Sequence, residues 1–169
     1  MRENHFACYK TNYINMLLKQ GDKAPAFTAN DQDGKVHSLK DYKGKKVVLY
    51  FYPKDDTETC TKEACNLRDN FAALKKKGIV VLGVSADNEK SHKKFEKKYS
   101  LPFTLLVDTE KKIINSYEVW AEKKFMGRTY MGILRTTFLI NESGKIDHII
   151  EKVESKNHTA QIVEIWGIK

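Results

Sequence analysis

Three short, nearly continuous apolar segments constrain the fold of this chain more than any other feature. They span residues 45–52, 79–86 and 103–108. Their β-branched and aromatic residues predict strands that are buried on both faces. Between them, residues 59–77 and 88–99 place apolar side chains three and four positions apart, which predicts a helix in each connection. Strands that alternate with helices in this way indicate parallel strands joined by right-handed crossovers.

The remaining segments add elements at both ends of this unit. Residues 26–28 and 35–38 flank the turn sequence DQDG, which predicts a short N-terminal hairpin. Residues 135–141 and 145–151 enclose the turn ESG and predict a second hairpin. A helix is also predicted on each side of that hairpin, at 109–118 and at 157–166. We therefore expect one α/β layer sandwich, with functional loops at the carboxyl ends of its parallel strands.

The first 15 residues show neither helix nor strand periodicity. They also lack the apolar core and the small-residue cleavage site of a secretory signal. We interpret residues 1–15 as a dispensable, poorly ordered extension that carries Cys8 as a free thiol, and residues 16–169 as the domain. No apolar run approaches the roughly 18 residues that a membrane span needs, so we expect no membrane partner. Because no secretory signal is recognised, we expect a location in the reducing cytoplasm.

The basic residues of this chain do not have the composition typical of a nucleic-acid-binding protein. The 30 basic residues, against 22 acidic ones, comprise 26 Lys and 4 Arg. Base and phosphate recognition relies on Arg, whereas Lys pairs and triplets mixed with Glu are typical of solvated helix faces. We expect no nucleic-acid partner, and because Arg is rare here, each Arg is a candidate for a specific role.

The segment after the first buried strand carries the candidate chemistry. Pro53, Thr57 and Cys60 lie between the strand end and the first turn of the next helix. Unpaired backbone N–H groups and the helix dipole favour an anion there, and the thiolate is the nucleophilic form of cysteine. Thr57, three residues before Cys60, is placed to cap that turn or to hydrogen-bond the sulfur.

A helix terminus alone does not ionise a thiol at neutral pH. Lowering a thiol pKa from about 8.5 to about 6 requires roughly 3.4 kcal/mol. A helix end contributes at most about 2 kcal/mol, so a further cation is needed. Arg135, at the start of the strand RTTFLI, is the best candidate for a fixed donor fork.

Cys65 lies five residues after Cys60. On an intact helix the two Cα atoms would be roughly 8.6 Å apart on opposite flanks, beyond the limit of about 7 Å for a disulfide. If the two cysteines form a redox pair, the first turns of the helix must therefore unwind during each cycle.

The pattern Pro-x-x-x-Thr-x-x-Cys, formed by Pro53, Thr57 and Cys60, resembles the peroxiredoxin signature. The continuation CTKEAC and the segment LRTTFLI around Arg135 are similar to the bacterioferritin comigratory protein (Q-type) subfamily. The similarity covers about residues 17–166; Asp55-Asp56 and the N-terminal extension depart from it. It implies a thioredoxin-like three-layer sandwich with a central mixed β-sheet and an N-terminal β-hairpin.

The resemblance also implies a function, a thiol peroxidase acting on hydrogen peroxide and organic hydroperoxides. Cys60 would be the peroxidatic cysteine, and Cys65 would resolve its sulfenic acid to an intramolecular disulfide that thioredoxin or a similar dithiol reduces. Pro53 would shield the sulfenate, and Thr57 and Arg135 would orient the peroxide. No metal, flavin or haem is implied, and we expect a monomer or a weak homodimer.

Alternatives remain open for several of these residues. Cys60 could be an inert buried cysteine, and Cys65 a residue of the helix face, which would leave resolution to another molecule's thiol. Arg135 and Arg128 could instead form surface ion pairs, and Glu63 could be an ordinary charge of the first helical turn. Three aromatic residues could pack in the core or in a loop, or could flank the peroxide pocket: Trp120, Phe125 and Tyr130. For Glu63 the resemblance suggests support of the site instead.

Other functions also compete. The alternative enzyme is a one-cysteine peroxidase recycled by glutathione or glutaredoxin. The alternative from another class is a redox-sensing binding or chaperone module with negligible turnover. A zinc site is not supported, because the five histidines show no paired spacing.

Overall fold

The computed structural model of the chain describes residues 17–168, so the predicted extension at 1–15 lies outside the described residues. Nine strands and five helices follow one another along the described chain. They are β1 (Thr28–Asn30), β2 (Val36–Ser38), β3 (Lys46–Phe51), α1 (Glu58–Asp69), α2 (Phe71–Lys76), β4 (Ile79–Ser85), α3 (Glu89–Tyr99), β5 (Thr104–Val107), α4 (Lys112–Ser116), β6 (Trp120–Phe125), β7 (Arg128–Ile133), β8 (Thr136–Ile140), β9 (Ile146–Ile150) and α5 (His158–Trp166). None of these helices is long and apolar enough to cross a bilayer.

The five-stranded central sheet has the order β5-β4-β3-β8-β9. The strands β3, β4 and β5 are parallel, as the alternation of strands and helices predicts. The strand β8 runs antiparallel to β3 and forms the predicted C-terminal hairpin with β9. The sheet is therefore mixed, and its middle strand, β3, delivers the chain to the loop that carries the cysteine motif.

Two apolar cores, one on each face of the sheet, make the domain a three-layer sandwich. Because successive side chains of a strand point to opposite faces, Val47, Leu49 and Phe51 enter one core while Val48 and Tyr50 enter the other. The second core is covered by buried side chains of α1, α2, α3 and α5. The helix α4 packs on the opposite face. The first strand pair, β1 and β2, forms the predicted antiparallel N-terminal hairpin.

The helix predicted at 59–77 is divided in two, and this part of the prediction is wrong. The break lies at Asn70, whose φ and ψ of −108° and 4° leave the helical range. Its side-chain amide donates to the Asn66 carbonyl at 2.8 Å, the acceptor that an unbroken helix assigns to the Asn70 backbone N–H. This local competition by a short amide side chain separates α1 from α2.

The hairpin formed by β6 and β7 was not predicted. Its two-residue turn, Met126-Gly127, has positive φ at both positions (50° and 76°), which is the backbone of a type I′ turn. The available sequence signal for this hairpin was Met126 followed by Gly127, between two segments in which polar and apolar residues alternate. Trp120, Phe125 and Tyr130, interpreted from the sequence as packing residues, all lie in this hairpin, and Phe125 is 67% exposed.

Candidate active site

The cysteine motif occupies the loop from the carboxyl end of β3 to the first turn of α1. Cys60 is the third residue of α1, and its side chain is buried, with 1% of the residue exposed. The Nη2 atom of Arg135 donates to the Cys60 sulfur at 3.2 Å. Arg135 directly precedes β8, the neighbour of β3 in the sheet, so sheet pairing brings residues 75 positions apart into contact. The predicted pairing of this thiol with this guanidinium is present in the fold.

The same guanidinium holds Glu63. Arg135 Nη1 donates to Glu63 Oε2, while Nη2 faces the sulfur, so one rigid fork serves two acceptors. Glu63 lies one turn after Cys60 on α1 and is fully buried. The structure thus places Glu63 as a support of Arg135 rather than as an exposed charge of the first turn.

A second buried titratable side chain lies next to Glu63. His158, the first residue of α5, has its Nε2 atom 3.7 Å from Glu63 Oε1 and 2.8 Å from Thr137 Oγ1. Burial raises the pKa of Glu63 from 4.5 to about 7, although Arg135 opposes the rise. Burial also lowers the pKa of His158 to about 4. Sequence reasoning did not identify His158, because its burial depends on where α5 docks.

Thr57 occupies the predicted N-cap position of α1 but does not use its hydroxyl there. The Oγ1 atom donates to the Lys54 carbonyl at 3.1 Å instead, and the side chain is exposed. The predicted cap hydrogen bond is therefore wrong. The hydroxyl closes the turn of the loop that precedes α1.

The loop itself is fixed by Asp55, which sequence reasoning treated only as a departure from the resembling family. The Asp55 carboxylate accepts from Tyr52 Oη at 2.6 Å and from Ser91 Oγ at 2.8 Å, and it pairs with His92 Nδ1 at 2.7 Å. Its backbone N–H donates to Asp87 at 2.9 Å. These contacts tie the segment after Pro53, which is half-buried, to α3 and to the end of β4.

The same contacts bear on metal binding. Within residues 17–168, one group of three ligand-type side chains lies within 4.8 Å, namely Asp55, Asp87 and His92. His92 Nε2 faces the Leu106 carbonyl at 3.0 Å, and Asp87 accepts from Ser85 Oγ at 2.6 Å. Their polar atoms are therefore engaged by protein partners, and the group functions as a hydrogen-bonded support of the loop.

Cys65 lies on the same unbroken helix as Cys60, and both cysteines are free thiols. It is partly exposed, and burial raises the pKa of its thiol, with Arg68 opposing the rise. This placement matches the predicted arrangement of two thiols held apart by an intact helix.

Lys123 of β6 is a second cation near the site that the sequence did not single out. Its ammonium donates to the Ile133 carbonyl at 3.1 Å, two residues before Arg135. Burial lowers the pKa of Lys123, and Arg135 adds to the effect while the Cys60 thiolate opposes it. Arg128, by contrast, is exposed on β7.

Comparison with known proteins identifies the family of this chain. The sequence profile of the AhpC/TSA family matches residues 20–149. The chain is 51% identical over 148 residues to a putative peroxiredoxin Bcp of Coxiella burnetii, covering 88% of this chain and 98% of that protein. It is 48% identical over 141 residues to peroxiredoxin Bcp of Escherichia coli, covering 83% and 90% of the two chains.

Solved structures show the same architecture. PrxQ of Xylella fastidiosa superposes with a TM-score of 0.83 at 27% identity and covers 89% of this chain and 96% of that one. The bacterioferritin comigratory protein of Xanthomonas campestris gives a TM-score of 0.78 at 30% identity, with 83% and 90% covered. The thioredoxin-like fold is confirmed, and the chain belongs to the AhpC/TSA family, within the Bcp group of peroxiredoxins, which are thiol peroxidases.

Proposed function

We propose that this protein reduces hydrogen peroxide and organic hydroperoxides through Cys60, resolves the product with Cys65 and is recycled by thioredoxin or a similar dithiol protein. The observation that supports this most directly is the 3.2 Å contact of Arg135 Nη2 with the buried Cys60 sulfur. An inert cysteine does not require a guanidinium, whereas a nucleophilic thiolate does.

In the first step the Cys60 thiolate attacks the outer oxygen of the hydroperoxide. The S–O bond forms, the O–O bond breaks, and the departing oxygen takes up a proton to leave as an alcohol or as water. Arg135 and the Thr57 hydroxyl orient the peroxide and stabilise charge on the departing oxygen, and Pro53 shields the resulting sulfenic acid. Organic hydroperoxides are included because the Xanthomonas campestris relative is described for alkyl peroxide reduction.

In the second step the Cys65 thiol attacks the sulfenic sulfur, an S–S bond forms and water leaves. Because both cysteines lie on α1, the first turns of that helix must unwind before the sulfur atoms meet. Two thiol–disulfide exchanges with an external dithiol then restore both thiols. This cycle requires a reducing compartment, which we propose is the cytoplasm, and it needs no second copy of the chain, consistent with a monomer or a weak dimer.

Peroxide consumption coupled to thioredoxin and its reductase tests this proposal. Wild-type protein is expected to turn over, and Cys60→Ser to abolish turnover. Cys65→Ser is expected to complete one round and then stall. One equivalent of peroxide should lower the intact mass by about two units and protect both cysteines from alkylation, since two thiols become one disulfide.

The same measurements separate the alternatives. Sustained turnover of Cys65→Ser with glutathione and glutaredoxin would favour the one-cysteine enzyme. Stoichiometric oxidation of the wild type without turnover would favour the redox-sensing module and would contradict the proposed function.

A further inference from the structure

The tautomer of His158 is fixed by its surroundings. The Gln161 amide donates through Nε2 to the Lys152 carbonyl at 3.0 Å, and its Oε1 atom accepts from the Glu154 backbone N–H at 2.9 Å. The atom that faces His158 Nδ1 at 3.0 Å is therefore an oxygen, so Nδ1 must carry the hydrogen. A neutral His158 consequently presents an unprotonated Nε2 to the other side of its ring.

That unprotonated nitrogen faces Thr137 and Glu63. Thr137 Oγ1, at 2.8 Å, must donate its hydroxyl hydrogen to Nε2, because a neutral Nε2 only accepts. Glu63 Oε1, at 3.7 Å, is buried and has no hydrogen-bond partner, while the other carboxylate oxygen accepts from Arg135. An ionised Glu63 would therefore direct an unpaired oxygen at the lone-pair edge of the ring. A protonated Oε1 would instead be a donor that competes with Thr137 for the one lone pair of Nε2, after a small approach from 3.7 Å to hydrogen-bond distance.

We propose that His158 is a positioning residue that, by presenting the unprotonated Nε2 to the buried Glu63 carboxyl group, favours the neutral form of Glu63 and so controls how strongly the Arg135 guanidinium acts on the Cys60 sulfur. When Glu63 is neutral, the charge of Arg135 acts on the thiolate undiminished. When Glu63 is ionised, its negative charge offsets part of that effect. His158 favours the neutral form and so keeps the thiolate stabilised.

Other charged groups around Glu63 do not take over this role. Cys60 on the same helix and Arg135 are the groups on which the pair acts. Tyr50 of β3 also faces Glu63, but burial and the Glu63 charge raise its pKa well above the ordinary value of 10, so its hydroxyl stays neutral near pH 7. The burial shifts of Glu63 and His158 agree with a pair that gains or loses its proton near neutral pH.

The pH dependence of Cys60 alkylation by iodoacetamide, read by site-resolved mass spectrometry on the reduced full chain, tests this inference. His158→Leu removes the acceptor, so Glu63 ionises more readily and the midpoint for Cys60 should rise by about half a unit or more, roughly a threefold slower reaction below the midpoint. Thr137→Val removes the competing donor and should move the midpoint down. His148→Leu, a control in β9, should leave it unchanged.

A double variant distinguishes this role from a merely structural one. Glu63→Gln cannot ionise, so it should lower the Cys60 midpoint, and adding His158→Leu to it should have no further effect on the midpoint. A His158→Leu shift that persists in the Glu63→Gln background would overturn the proposal, as would unshifted midpoints in both His158→Leu and Thr137→Val. If His158→Leu does not fold, the shift of the Cys60 midpoint in Thr137→Val tests the proposal: a lower midpoint supports it, and an unchanged midpoint overturns it.

The inference rests on the proposed function only for its biological meaning. Alkylation needs no peroxide, so its outcome tests the coupling of His158 to Cys60 directly. A wild-type protein that shows the coupling but consumes no peroxide would contradict the proposed function and leave the inference supported.

Discussion

At the scale of single residues, Arg135 donates two hydrogen bonds through two different nitrogens. Nη1 holds the buried Glu63 carboxylate, and Nη2 reaches the Cys60 sulfur. A planar guanidinium reaches two acceptors at once in fixed directions, whereas an ammonium is a single point charge on a flexible stem. The chain, which otherwise uses Lys almost throughout, has Arg where this geometry is required.

This assignment predicts that charge alone does not replace Arg135. Arg135→Met should lower the second-order rate constant of Cys60 with peroxide by about 10²- to 10³-fold, the usual cost of losing one aligned donor. Arg135→Lys should lie between this value and the wild type, because one ammonium cannot serve both acceptors. Stopped-flow measurement of peroxide reduction gives the rate constants.

Arg128→Lys is the matched control, since Arg128 is exposed on β7, and its rate constant should equal that of the wild type. A wild-type rate for Arg135→Lys would show that the two-nitrogen geometry is not needed.

The residue scale also shows what sequence alone can predict. Cys60 and the N-cap position of Thr57 depend on local spacing, and Arg135 was identified by its rarity and its position before a strand. Asp55 with His92, and Glu63 with His158, join residues 37 and 95 positions apart, and their roles depend on which side chains the packed helices bury. Five histidines without paired spacing gave no signal for choosing His92 or His158.

At the scale of elements, α1 is held by Arg135 in its first turns, at Cys60 and Glu63, and by α5 in its later turns, at Asn66. Asn66, past the middle of α1, donates from Nδ2 to the Lys156 carbonyl and accepts at Oδ1 from the Thr159 backbone N–H, both at 2.8 Å. Asn157, the N-cap residue of α5, makes no capping bond, so Asn66 supplies the cap from another helix. The proposed disulfide step therefore requires the first turns of α1 to leave Arg135 and unwind, while the Asn66 contacts would hold the later turns on α5.

Asn66→Ala is expected to destabilise the fold by about 1 kcal/mol, because it removes the side-chain cap of α5, the acceptor of the Thr159 backbone N–H. Chemical denaturation of the reduced protein measures this. Asn157→Ala, which removes an exposed side chain that makes no capping bond, should change stability by less than about 0.5 kcal/mol. Equal effects of the two substitutions on stability would contradict the capping of α5 by Asn66.

Element boundaries show the same limit of sequence reasoning. The parallel strands were predictable because their apolar segments are bounded by turns and helices. The break at Asn70 was not, because it depends on one side chain that bonds to its own helix. The β6–β7 hairpin was missed because its alternation is weak, with exposed apolar residues such as Phe125 and Met131.

At the scale of the whole molecule, elements of the described residues 17–168 build both cores. Each face of the central sheet is covered by elements within 17–168. We therefore predict that a chain starting at Met16 folds with an unchanged denaturation midpoint and an unchanged rate of Cys60 oxidation. Loss of stability greater than about 1 kcal/mol on truncation would show that the extension contributes to the fold.

The depth of the Cys60 sulfur has a consequence for the timing of the whole cycle. With 1% of the residue exposed, the sulfur is out of reach of another protein's thiol while α1 is intact. In the proposed cycle, oxidation of Cys60 speeds up as peroxide accumulates, whereas the opening of α1 is a first-order event that peroxide does not accelerate. When peroxide and the reducing dithiol are both in excess, that opening would therefore set the maximum turnover rate. Its rate also determines how long the oxidised sulfur waits within reach of a second peroxide molecule, and hence how many turnovers each protein completes before irreversible damage.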